Sequence, residues 1–143
     1  MMMMKTTTTR NKNATKYIET RNHYYDNAKE MISKGELRKA SEMLWGAVTQ
    51  TLKALAALKG IEFKKHGTFF SLTEQLSKER NDPSLYNEFV DLNTLHTNFY
   101  DEVIPTGAFP MFYDKTRTYI EKLQEIIHDV MKKQEREEKK PKS

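Results

Sequence analysis

Residues 36–60, ELRKASEMLWGAVTQTLKALAALKG, decide how the rest of the chain is read. Leu37, Ala40, Leu44, Ala47, Val48, Thr51, Leu55 and Leu58 recur at three- and four-residue steps, which places them on one face of a helix. Gly35 and Gly60 punctuate the two ends, and Gly60 suits the left-handed position that closes a helix C-terminus. Five alanines and Gly46 keep the helix slim, while Met43 and Trp45 widen its apolar surface beyond a single stripe. The pattern predicts a central helix contacted from more than one side, with Leu44, Val48 and Leu55 in the core.

Before it, residues 14–34 carry Tyr17, Ile18, Tyr24, Tyr25, Ala28, Met31 and Ile32 at helical spacing, with Asn13 or Thr15 as candidate caps. The connection through Gly35 is short enough to impose an antiparallel hairpin. After Gly60, Ile61 and Phe63 are expected to tuck under the bundle. A third helix over roughly 68–80 faces Phe69, Leu72 and Leu76 inward, with Thr68, or a Ser71–Glu74 capping box, at its start. Asp82 then Pro83 open a fourth helix, with Leu85, Phe89, Leu92, Phe99 and Val103 as its stripe and Pro105 as its end. The last helix begins near Pro110 and carries Phe112, Tyr119, Ile120, Leu123, Ile126, Ile127 and Val130. No stretch alternates long enough for a strand. The fold class is an all-α, up-and-down bundle of four or five helices.

A chain of 143 residues suits one domain with a sizeable core. Cysteine is absent, which excludes disulfides, thiolate zinc sites and cysteine nucleophiles. No apolar run approaches the roughly 20 residues of a membrane span, and the first residues lack a signal-peptide core, so a cytoplasmic protein is expected. The net charge of +4 is unevenly placed. Residues 1–13 contribute +3 and residues 132–143 another +3, leaving −2 on the body from 14 to 131. Both ends are expected to be disordered charged tails that add non-specific, salt-sensitive attraction to nucleic acid.

Several chemistries find no support. The five glycines are scattered singly, so no phosphate-cradling loop exists. His23, His66, His96 and His128 lie in four different segments, and Glu-x-x-His occurs once, at Glu125–His128, where a di-metal bundle needs it twice. No metal or cofactor is expected. His96 is the histidine of interest, because it falls within the apolar stripe of the fourth helix, with Asn93 one turn back and Tyr100 one turn on. It reads either as a hydrogen-bonded core histidine or as a general acid or base in a groove, with Asn93 and Tyr100 beside it.

The segment KASEMLWGAVTQTLKALAALKG, the lone loop histidine His66 and the later run LHTNFYDE together resemble the archaeal PaREP-type branch of the HEPN (higher eukaryotes and prokaryotes nucleotide-binding) superfamily. The resemblance covers about residues 25–127 and is strongest over 39–60 and 95–102. It implies a short helical bundle that pairs into a homodimer. Many members of that superfamily are metal-independent ribonucleases whose signature is an arginine, four to six residues, then a histidine on one helix. His96 takes the histidine position, but the arginine position falls on Phe89, Val90 or Asp91, and no arginine occurs between Arg80 and Arg117. The cation that would steady the scissile phosphate is missing from that helix.

The expected function is therefore a dimeric module binding a nucleotide, RNA or a partner protein. The alternatives are an endoribonuclease using His96 with an arginine from elsewhere, and a plain helical assembly module. Exposed aromatic surface from Trp45, the first-helix tyrosines and residues 109–113 adds to the case for a dimer.

Overall fold

The periodic stretch becomes α2, Leu37–Lys59, in a computed structural model that describes residues 6–63, 65 and 67–139. Around it stand α1 (Thr7–Ser33), α3 (Thr68–Glu79), α4 (Ser84–Asp101) and α5 (Phe109–Glu138), with a 3-10 turn over Thr106–Ala108 leading into α5. The described residues contain no strand, and the architecture is an all-α bundle. α2 packs against each of α1, α3, α4 and α5. Leu44, Val48, Leu52, Leu55 and Leu58 are completely buried along it. Each leucine so buried contributes about 1.5–3 kcal/mol relative to leaving it exposed. Gly46 serves close packing: a Cβ there would lie 3.0 Å from the Tyr24 ring of α1.

Both ends of the bundle extend further than the apolar pattern indicated. α1 begins at Thr7, capped by Thr6, whose hydroxyl accepts the Thr9 N–H at 3.1 Å. Neither Asn13 nor Thr15 is the cap, and residues 7–13 are helix rather than disordered tail. α5 continues to Glu138, so residues 132–138 are helical too. The reason is shared: α1 starts where α2 and α5 end. Arg10 lies against Gly60, the left-handed closing residue of α2 (φ 72°), where a Cβ would sit 2.7 Å from its Nη2. The Gln134 side chain donates to the Leu58 carbonyl at 2.7 Å. Polar side chains serving the carbonyl end of α2 hold segments that apolar periodicity alone could not predict. Residues 1–5 and 140–143 of the tails, and His66, fall outside the described residues.

α4 begins at Ser84 with Pro83 in the N-cap position, one residue later than expected, while the Asp82 side chain accepts the Ser84 N–H at 3.1 Å. α3 starts at Thr68 without any side-chain cap, and the supposed capping box is not formed: Glu74 pairs with Lys78 at 3.2 Å. α4 stops at Asp101 because Glu102 turns left-handed (φ 49°), four residues after the buried Asn98 and well short of Pro105. Val103 is consequently exposed, and the buried stripe is Leu85, Phe89, Leu92, Leu95 and Asn98. Asn98 closes this corner, donating to the Ser41 hydroxyl at 2.9 Å and accepting the Ile104 N–H at 2.7 Å.

Trp45 is 97% buried within the chain, with its ring 5.2 Å from that of Phe89. Phe109 is buried as well, and Tyr25 lies across Tyr113 at 5.9 Å. The aromatic surface that argued for a dimer is thus largely covered inside one chain.

Candidate functional site

With the stripe of α4 running through Leu95 and Asn98, His96 sits at its edge, its side chain 32% exposed. Its Nδ1 lies 2.9 Å from Glu42 Oε2 and 3.2 Å from Oε1, joining α4 to α2. Trp45 stacks on one side at 5.9 Å and Tyr100 meets the ring edge-on at 5.4 Å. Nδ1–H donated to a carboxylate leaves the lone pair on Nε2, the arrangement of an oriented base. Asn93 is not part of this group. It gives its backbone carbonyl to the Thr97 hydroxyl, and its side chain makes no hydrogen bond among the described residues.

A base of this kind acts on a phosphodiester only beside a cation that steadies the developing charge. Arg38 stands one turn before Glu42 on α2, but its guanidinium caps α4. Nε and Nη2 donate to the Phe99 carbonyl at 3.1 and 2.8 Å, Nη2 also to Tyr100 O at 3.0 Å, and Nη1 lies 3.6 Å from Glu102. The nearby charges around His96 serve the fold.

Across the molecule the situation is reversed. α1 and α5 both pack on α2, and they meet each other through side chains rather than by close backbone approach. Arg21, Tyr25 and Lys29 form one row on α1; Tyr113, Arg117 and Glu121 form another on α5, both in steps of four. Between the rows lies an open groove of about 510 Å³ with Ile120 in its wall. Arg21 is only partly exposed there, and its partners are neutral: Nη1 donates to Gln124 at 2.6 Å and Nε to Asn22 at 3.1 Å. Burial pushes its pKa down from the ordinary arginine value, with no acid offsetting the cost of desolvation. Lys29 lies 5.0 Å from the Tyr25 ring, a cation–π contact. Arg117 reaches the single carboxylate of the groove, Glu121, at 3.5 Å. The Tyr25 hydroxyl bonds that of Tyr113 at 3.2 Å, and burial foremost, then this bond, pushes the Tyr25 phenol up, so it stays neutral.

Chemically the groove offers three cations against one acid, two phenol hydroxyls and flat apolar faces. That set suits an anion attached to a planar group. Among the described residues no cluster of His, Asp and Glu could hold a metal, and no helix is long and apolar enough to cross a membrane.

A model of one archaeal family matches residues 16–122, from the third turn of α1 into the middle of α5. The chain belongs to the archaeal PaREP1/PaREP8 family. No curated protein and no solved structure matches it. The family match in this PaREP1/PaREP8 protein covers the His96–Glu42 pair and the α1–α5 groove except for Gln124.

Sequence reasoning found His96 and Tyr100 but missed Glu42, which is 54 residues away and is recruited only by the packing of α4 on α2. It missed the groove altogether. The cation–aromatic–cation row Arg21, Tyr25, Lys29 was visible as a four-residue repeat in the PaREP1/PaREP8 sequence. Its counterpart on α5 was visible too, but nothing local says that the two rows face each other.

Proposed function

We propose that this chain is a HEPN-like helical binding protein whose α1–α5 groove takes a nucleotide, with Arg21 meeting the phosphate and Tyr25 and Tyr113 flanking the base. The observation that carries this reading is Arg21 itself. A guanidinium partly removed from water beside only neutral amides lacks a counter-ion, and a phosphate supplies one in the bidentate geometry that arginine favours. Kinship with the HEPN superfamily rests on the helical order and the Leu95–Tyr100 run. Pairing into a homodimer is part of the same reading and is checked by sedimentation of the full chain.

The test is calorimetric titration with a nucleoside monophosphate, the matching nucleoside and inorganic phosphate. The nucleotide should bind best, and Arg21→Gln should weaken it about tenfold or more. A nucleoside that binds as tightly as its phosphate, or no nucleotide binding, overturns the assignment.

One observation favours catalysis instead: the Glu42 carboxylate that orients His96. The ribonuclease reading then needs an arginine from a second copy of the chain, since Arg38 is engaged on α4. RNA cleavage abolished by His96→Ala would establish it. The plain assembly module predicts neither binding nor cleavage.

A further inference from the structure

The end of the bundle where α2 and α3 stop and α1 begins holds a second open cavity, of about 570 Å³. It is separate from the α1–α5 groove. Arg10 is its only residue from α1, and α5 lines it with the face turned away from that groove. Ile61, Leu76, Ile126 and Val130 give it aliphatic walls, and its volume falls in the range of small-molecule sites.

The charges around this cavity divide into answered and unanswered groups. Lys59 reaches Glu79 at 2.9 Å, and Arg80 reaches Asp129 at 3.0 Å. Gln75 foremost, then Lys59, holds the Glu79 carboxyl below its ordinary value, and the charge of Lys133 adds to the effect. Two groups of opposite sign remain. The Arg10 guanidinium lies against Gly60 at the end of α2, yet it takes no hydrogen-bond acceptor and no ion pair among the described residues. Its Nε is shielded from water, so the group is held in a partly desolvated place. Glu137 lines the same cavity from α5 and makes no ion pair either. An exposed carboxylate without a partner is ordinary by itself. Across an aliphatic recess from an unanswered guanidinium, it completes a pair of opposite charges that do not meet.

We infer that this cavity binds an aliphatic α-amino acid, its carboxylate on Arg10, its ammonium on Glu137 and its side chain on the aliphatic walls. The guanidinium fork matches a carboxylate through two parallel N–H···O bonds. An ammonium donates three hydrogen bonds, which a carboxylate such as Glu137 accepts. A phosphate or a dicarboxylate would answer Arg10 but bring its second negative charge towards Glu137. A simple amine would leave Arg10 as it is. Ile61, Leu76, Ile126 and Val130 offer no polar side-chain atom, so they favour a hydrocarbon side chain over a polar one. The inference does not rest on the nucleotide reading, because the two cavities share no residue.

The experiment is calorimetric titration of the full chain with L-leucine and with two analogues that each lack one charge, 4-methylpentanoate and 3-methylbutylamine. Leucine should bind saturably, at least about tenfold tighter than either analogue. Glycine, which has no side chain to bury, should also be at least about tenfold weaker. Arg10→Gln should erase the preference for leucine over 3-methylbutylamine, and Glu137→Gln the preference over 4-methylpentanoate. Glu137 is exposed, so its variant keeps the site testable if Arg10→Gln loses helical circular dichroism. Adenosine monophosphate titrated into the same variants reads the α1–α5 groove separately and should bind them as it binds the parent. No leucine binding, or 4-methylpentanoate as tight as leucine, overturns the amino-acid site and leaves the nucleotide groove standing. Leucine binding indifferent to both substitutions overturns it as well.

Discussion

The α2–α4 contact around His96 and the α1–α5 seam hold similar residue types and treat them in opposite ways. At α2–α4 the polar groups answer one another. Glu42 meets His96, Arg38 meets the last carbonyls of α4, and Asn98 joins Ser41 to Ile104. Along the seam, Arg21 is left with neutral amides. Buried polar groups are normally satisfied, so a region where the accounting closes reads as structure, and one where it stays open reads as a site awaiting a ligand. A histidine on an apolar helix draws attention in a sequence. Here its partners mark it as a tie between helices.

If that contrast holds, substitutions near α2 and α4 should move stability, and substitutions along the seam should move binding. The largest effect is expected from Leu55→Ala, at a completely buried position on α2: a loss of roughly 2–5 kcal/mol in chemical denaturation. An unchanged midpoint would remove α2 from the centre of the fold. Asn98→Ala comes next, at about 1–3 kcal/mol, because the Ile104 N–H and Ser41 hydroxyl lose their partner in a buried corner. Should Asn98→Ala prove neutral, the corner is held by something other than that side chain.

Glu42→Gln should cost less, about 0.5–1 kcal/mol, since both members of the pair are roughly a third exposed. Loss of RNA cleavage in this variant without loss of stability would break the comparison, for His96 would then belong to a catalytic site.

The acid limb of stability offers a further test away from both regions. The Ser84 hydroxyl holds the Asp82 carboxyl below its ordinary value, and Gln75, then Lys59, do the same for Glu79. Groups with depressed folded-state pKa values contribute stability above the unfolded carboxylate range, near pH 4, and lose it as pH falls through the folded values. Asp82→Asn keeps a capping side chain and should make the fall below about pH 4 shallower. An identical acid profile would show that the cap acts without its charge. The smallest effect on stability belongs to Arg21→Leu, within about 0.5 kcal/mol of the parent, because the charge it removes has no ionic partner. A large destabilisation there would mean that the guanidinium holds α1 to α5 and is not kept for a ligand.

Apolar periodicity was enough to read the helices, the hairpin and the central place of α2. Burying a stripe of leucines and alanines is a local pattern with one good solution. The same rule erred wherever polar atoms decide. It left residues 7–13 and 132–138 out of the helices, because Thr6 as a cap and Gln134 on the Leu58 carbonyl have no apolar signature. It carried the α4 stripe through Phe99 and Val103, because steps of three and four are equally helical and only the Ser41 and Ile104 contacts choose Asn98.

His96 and Tyr100 were legible as candidates, but their meaning was not, since it depends on a carboxylate 54 residues away. The sequence by itself determined a helical bundle built on residues 36–60 and the absence of an arginine on the helix before His96. Only the tertiary structure decided that α1 and α5 flank α2 with a cationic seam between them. Helix formation follows from neighbours within a turn, whereas the satisfaction of a charge depends on which distant chain segment packing brings beside it.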